Sequence, residues 1–138
     1  MANYRYLFLF GFVLLGCKAR KCLHDYVKVN NNSTKVIYFM CDPYFPDSNL
    51  NIRDGYANLV NDSSHAKIYP HQSGLFSGHQ CAEDIFNPTN GKTMIFIFDA
   101  NTIENTPWSE VIANNLYIKR YDLNFRDLDS LGWEINYP

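Results

Sequence analysis

The sequence predicts a mainly β fold, a compact immunoglobulin-like β-sandwich with two short helices in its connections. Two observations carry this. Ten Tyr, ten Phe and two Trp in 138 residues are many for this length, and aromatic side chains favour strands while the abundant Asn favours tight turns. Short apolar or alternating runs are separated by turn signals along much of the chain. A third observation keeps a two-layer α+β fold as the alternative. After residue 93 the order reads strand, helix, strand, helix, strand.

The elements are justified in chain order. Tyr26-Val27-Lys28-Val29 alternates and reads as a strand. Asn30-Asn31-Asn32-Ser33 is turn chemistry, and Val36 to Cys41 is a near-continuous apolar run of strand length. These two runs are expected to form a hairpin. Asp42 to Asp47 carries two prolines and breaks regular structure. Ala66 to Tyr69 reads as a strand that stops at Pro70. Ala82 to Phe86 reads as one helical turn ended by Asn87-Pro88. Asn90-Gly91 is a turn signal that feeds Thr93 to Phe98. That run is apolar at nearly every position and so suits burial on both faces. Thr106, followed by Pro107 at the first helical position, is expected to cap a short helix. Trp108, Val111 and Ile112 share its apolar face. Leu116 to Tyr121 alternates as a strand. Asn124 and Asp127 have capping-box spacing for a second helical turn, with Phe125, Leu128 and Leu131 on its apolar side. Gly132 offers a left-handed exit. Trp133, Ile135 and Tyr137 then alternate onto one face of a closing strand, with Trp133 expected in the core.

The N-terminal segment has its own logic. Residues 7 to 17 form an unbroken apolar run ending in Leu14-Leu15-Gly16-Cys17. It is about half the ~20 residues a transmembrane helix needs and has the length of a signal-peptide h-region. Its ending resembles the lipobox of bacterial lipoproteins, in which a cysteine is lipidated and becomes the mature N-terminus. The resemblance implies that Cys17 carries the lipid. The alternative is an ordinary signal peptide cleaved after Ala19. The organisation expected is a signal peptide over 1–16, a lipidated cysteine and tether over 17–24, and one β-rich domain over 25–138. Removing residues 1–16 takes away Arg5, one of 12 basic residues, and none of the 14 acidic ones, so the net charge moves from −2 to −3. No basic stripe remains beyond Lys18, Arg20 and Lys21, which argues against a nucleic-acid partner. These three suit a membrane-adjacent tether.

Cys22, Cys41 and Cys81 remain once Cys17 is assigned to lipid. An exported domain permits one disulfide and leaves a free thiol. Cys41 with Cys81 is the preferred pair, because Cys22 lies in the tether, although spacing does not settle it.

The C-terminal residues Arg120-Tyr121-Asp122-Leu123, Asp127-Leu128 and Leu131 to Pro138 resemble the ending of small uncharacterised envelope lipoproteins of Bacteroides-type bacteria. Ile95 to Asp99 and Tyr44 to Asp47 are similar to theirs as well. The resemblance implies an envelope lipoprotein and brings no catalytic residue. In that group, surface display goes with an acidic run after the lipidated cysteine. Lys18-Ala19-Arg20-Lys21 stands there instead, which favours a periplasm-facing anchor.

Candidate chemistry is sparse. His65, His71, His79, Cys81, Glu83 and Asp84 have metal-ligand residue types, but their spacing matches no compact zinc motif, and surface-loop histidines explain them better. No metal or other cofactor is expected. Cys81 with His79 or His71 would need a lowered thiol pKa and a positioned base, whereas an exported cysteine is more often in a disulfide. Glu83-Asp84 and Asp127/Asp129 are sequence neighbours, not carboxylates facing across a cleft. The loop Tyr44-Phe45, with Tyr56, Tyr69 and Phe76, is the most plausible binding feature, since exposed aromatic patches mark contact; the competing reading is a plug for the open end of the sandwich. The function expected is a lipid-anchored envelope protein, held to the membrane and facing the periplasm, that binds or scaffolds another envelope protein or a glycan without catalysis. The alternatives are a small hydrolase or metal-dependent enzyme using residues 65–84, or a sugar-binding module.

Overall fold

The computed structural model describes residues 21–42, 67–76, 81–86 and 90–138. Among them seven strands form two sheets. The strands are β1 (Val27–Asn31), β2 (Ile37–Asp42), β3 (Lys67–Ile68), β4 (Ser73–Phe76), β5 (Lys92–Asp99), β6 (Lys119–Asn124) and β7 (Glu134–Tyr137). One sheet has the order β4-β1-β7, the other β3-β2-β5-β6. Three short helices lie between the later strands: α1 (Ala100–Asn105), α2 (Trp108–Ala113) and α3 (Phe125–Ser130). A 3-10 turn spans Ala82–Ile85.

Side-chain alternation builds the layers. Val27, Val29 and Ile135 from the three-stranded sheet meet Ile37, Phe39, Ile95 and Ile97 from the four-stranded sheet in one buried core. The other face of the four-stranded sheet presents Tyr38, Met40, Met94, Phe96 and Phe98. Ala100, Ile103 and Val111 of α1 and α2 cover it. β5 is therefore buried on both faces, as its apolar run predicts. The outer face of the three-stranded sheet is polar apart from the exposed Leu75. Lys28 Nζ donates to Glu134 at 3.1 Å, Asn30 Nδ2 donates to Asn136 at 2.9 Å, and Ser73 Oγ donates to Asn30 at 2.6 Å. The expected β-sandwich is present, and its helices sit in connections. The helices on the second face of the central sheet add a third layer.

The expected hairpin between the first two strands does not form. β1 pairs antiparallel with β4 and parallel with β7, while β2 pairs with β3 and β5. The reason lies in Asn31. Its side chain is fully buried at the crossover between sheets. Its amide donates to the Lys35 and Ile68 carbonyls at 2.7 and 3.1 Å. Its oxygen accepts from the Ser33 backbone N–H and hydroxyl at 3.1 and 2.6 Å. The turn chemistry thus serves a corner that changes sheets, with its buried polar groups satisfied locally.

Local signals fare unevenly. Asn124 caps α3 by accepting from the Arg126 and Asp127 N–H groups, and Asp127 returns a bond to the Asn124 N–H, a full capping box. Of the α3 apolar side, Leu128 is buried while Phe125 and Leu131 stay exposed. Gly132 takes φ +65°, and Trp133 follows at φ +60°. That is an unusual backbone for a bulky residue. Its ring holds the position, stacked on His24 at 4.0 Å and edge-on to Phe125 at 5.4 Å. Thr106 does not cap the second helix. It closes α1 through its N–H on the Thr102 carbonyl, and Pro107 stands at the N-cap of α2. α1 itself starts at Asp99, whose carboxylate accepts from the Asn101 and Thr102 N–H groups. β6 begins at Lys119 rather than Leu116, because Leu116 and Tyr117 pack against the helix-covered core instead.

The disulfide expectation is corrected. Cys22 bonds Cys81, and Cys41 is a free thiol. Cys41 lies on β2, facing the inter-sheet core, opposite Ile95. The segment before β1 meanwhile lies on the 3-10 turn. Ala82 N–H donates to the His24 carbonyl at 3.0 Å, and Glu83 accepts from the Leu23 and His24 N–H groups at 3.2 and 2.9 Å. What reads as tether is already part of the domain at Cys22.

Candidate functional site

A concavity lies among the described residues where β2, β3 and α1 meet. It is an open groove of about 420 Å³ whose walls include Lys35, Lys67, Tyr69, Asp99 and Glu104. Lys35 comes from the crossover, Lys67 and Tyr69 from β3 and its exit, Asp99 from the end of β5, and Glu104 from α1. The close approach of β4 beneath helps set this wall. A Cβ on Gly74 would stand 2.9 Å from Ile68 side-chain atoms and 3.0 Å from the Phe39 ring, so the absence of a side chain lets the sheets close there.

The groove's charges are paired. Lys67 Nζ contacts Glu104 Oε1 at 2.5 Å, and the Tyr38 hydroxyl donates to the same oxygen at 3.1 Å. Lys67 Nζ also lies 5.6 Å from the Tyr38 ring centre and 5.8 Å from that of Tyr69, within cation–π range. Lys35 Nζ stands 3.6 Å from Asp99 Oδ2. Asp99 therefore caps α1 and holds a lysine at once. Hydrogen bonds from Lys67 and Tyr38 hold the Glu104 carboxyl below its ordinary range. The same bond to Glu104 holds the Lys67 ammonium above its ordinary value. Burial, then the bond to Glu104, pushes the Tyr38 phenol up. At neutral pH the site thus presents an ammonium, a carboxylate and a protonated phenol. Lys67 is no free amine nucleophile, and Glu104 is no proton donor. The arrangement suits recognition of a polar ligand with a flat apolar face. Tyr69, about half exposed at 51%, supplies the matching ring.

The region 65–84 does not assemble as a catalytic centre from its described residues. Cys81 is bonded to Cys22, which removes it as a nucleophile. His71 sits in an exposed turn at φ +61°. Glu83 turns inward, where its Oε1 meets His24 Nδ1 at 3.2 Å. Burial pushes the Glu83 carboxyl up, but backbone N–H donors and His24 outweigh it and hold the group below its ordinary range. Asp84 accepts from the Cys81 N–H at 3.0 Å. Among the described residues no three of His, Cys, Asp and Glu converge on a metal position. His65, His79, Tyr44, Phe45, Tyr56 and Cys17 lie outside the described residues. The free Cys41 thiol is pushed well up by burial and the nearby Asp42 charge, so it stays protonated. Among the described residues no helix is long and apolar enough to cross a membrane.

The sequence points to Tyr69 as one of several aromatics and misses Lys35, Lys67, Asp99 and Glu104. They come from four segments, each with an ordinary local role. Only the strand order brings them together.

No family model matches this chain, and no solved structure matches it. A stretch of 43 residues, 31% of the chain, is 42% identical to part of the glycogen phosphorylase of Aquifex aeolicus (strain VF5), and it spans 6% of that protein's length.

Proposed function

We propose that this chain is a lipid-anchored envelope protein, held at Cys17 on the periplasm-facing side, that binds another envelope component without catalysis. The observation that carries the binding role is the groove of Lys35, Lys67, Tyr69, Asp99 and Glu104. Its acids and bases are paired with each other, and an exposed ring stands beside them. A second reading, a sugar-binding module, draws on the same Tyr69 ring, since flat aromatics stack on sugar faces. The short similarity to a glycogen phosphorylase adds a thread to that class and carries no catalytic assignment. The hydrolase reading is weakened by the loss of Cys81 to a disulfide.

One experiment separates these parts. Cells expressing the full chain with a clickable fatty acid label the parent and not Cys17→Ser. The same membranes, extracted and run through gels containing soluble polysaccharides or incubated with purified envelope proteins, show retardation or capture that Tyr69→Ala reduces. Equal labelling of the two proteins would sink the anchor. Binding unchanged in both Tyr69→Ala and Lys67→Ala would remove the groove.

A further inference from the structure

We infer that the Cys22–Cys81 disulfide shortens the leash on the lipid anchor, so that the face around Leu23, His24 and Phe125 rests on a phospholipid surface rich in anionic headgroups. The inference rests on the lipid-anchor reading of Cys17. Only residues 18–21 separate that cysteine from Cys22. Cys22 is covalently fixed to Cys81, and the chain just after it is hydrogen-bonded to Glu83 and Ala82. Five peptide steps, fully extended, reach at most about 18 Å. That length keeps Cys22 within about 18 Å of the lipidated residue, so the end of the domain that carries it stays next to the membrane surface.

The end brought down by this leash has the right surface. Leu23 is exposed at 74% and Phe125 at 37%. Phe125 lies 6.3 Å from the His24 ring and 6.1 Å from the Phe86 ring, so the apolar groups are contiguous. Trp133 stacks beneath His24 and holds it in place. Lys21 and Arg126 are exposed beside this face; of the acids near them, Glu83 is turned onto the Leu23 and His24 N–H groups and Asp127 onto the Asn124 N–H, and Asp25 is exposed. Lys18 and Arg20 of the leash add two more cations. Each basic group near an anionic surface adds to the attraction. Aromatic and aliphatic side chains settle into the headgroup boundary. The groove of Lys67 and Glu104 belongs to other elements, on β3 and α1, and stays available to a partner.

The test uses the full lipidated chain, reconstituted into vesicles of phosphatidylethanolamine and phosphatidylglycerol that carry brominated acyl chains. Phe125→Trp places an indole on the face, and the parent supplies the background of Trp108 and Trp133. The introduced indole should be quenched. Its quenching should fall several-fold when a long Gly/Ser linker is inserted between Arg20 and Lys21, because local concentration drops with leash length. The linker leaves the disulfide and the domain intact, so a folding defect does not confuse the result. Vesicle flotation is scored in every sample. Protein that floats but shows no quenching, or quenching indifferent to the linker, overturns the inference and leaves the anchor standing. Protein that fails to float, indistinguishable from Cys17→Ser, overturns both.

Discussion

Trp133 concentrates several effects in one residue. Its backbone is left-handed at φ +60°, a conformation that costs a side-chain-bearing residue about 1–2 kcal/mol. The ring offsets that cost by packing against His24, Phe86 and Phe125 with 5% exposure. Trp133→Ala should therefore destabilise the domain by ~3–5 kcal/mol, a large share of the ~5–15 kcal/mol available to a domain. Urea unfolding followed by far-UV circular dichroism measures it. A midpoint unchanged from the parent would place the ring outside the core. Its burial was legible in advance, because capping box, glycine exit and alternation are local signals that agree, whereas its own left-handed backbone, one residue ahead of β7, was not. Asn31 was not. Its four residues of turn chemistry look like a hairpin tip, and only the buried amide bridging to Lys35 and Ile68 reveals a corner between sheets.

Among elements, the segment ahead of β1 changes role most. The 3-10 turn at Ala82–Ile85 holds it by a disulfide across a sequence separation of 59. In the chain-entropy picture a closed loop of that size contributes ~4 kcal/mol, and engineered removals often measure less. The double variant Cys22→Ser, Cys81→Ser should lose about 2–4 kcal/mol, read as a lower melting temperature that reductant no longer changes. A parent whose melting temperature ignores reductant would contradict this. The sequence favoured Cys41 as the partner, because composition marks 18–24 as linker while long-range packing decides which thiols meet. β5, by contrast, was legible, since a run apolar at nearly every position has few places to go except between two layers. β4 and α1 were not. Ser-Gly-Leu-Phe has no strand signature, and Ala-Asn-Thr-Ile-Glu-Asn carries two buried side chains, Ala100 and Ile103, too few to display a period.

For the whole molecule, pH acts through carboxylates held below their ordinary range. Glu104 is held there by Lys67 and Tyr38, Glu134 by Lys28 and Asn30, and Glu83 by N–H donors and His24 that outweigh its burial. A lowered folded-state pKa adds stability above the unfolded value of 4.5 and loses it as pH falls through the folded value. The folded state should therefore hold a plateau above that value and weaken below it. Glu104→Gln should flatten part of the acid slope, by less than about 1 kcal/mol because the pair is partly solvated. Melting temperatures recorded across the acid range check both, and an acid slope identical in Glu104→Gln would remove the pair from the account. The candidate groove shows why such a site escapes sequence reading. Lys35, Lys67, Asp99 and Glu104 are scattered over 70 positions and meet only through sheet order. The parallel pairing of β1 with β7 has a further consequence, for the way the chain is made. Synthesis runs from the N-terminus, so β1 emerges early and waits for a neighbour more than 100 residues away, as Lys28 opposite Glu134 shows. The small sheet stays incomplete until β7 has been made. β1 meets β4 sooner, as Lys28 opposite Leu75 shows, and its parallel partner joins as a late, long-range step.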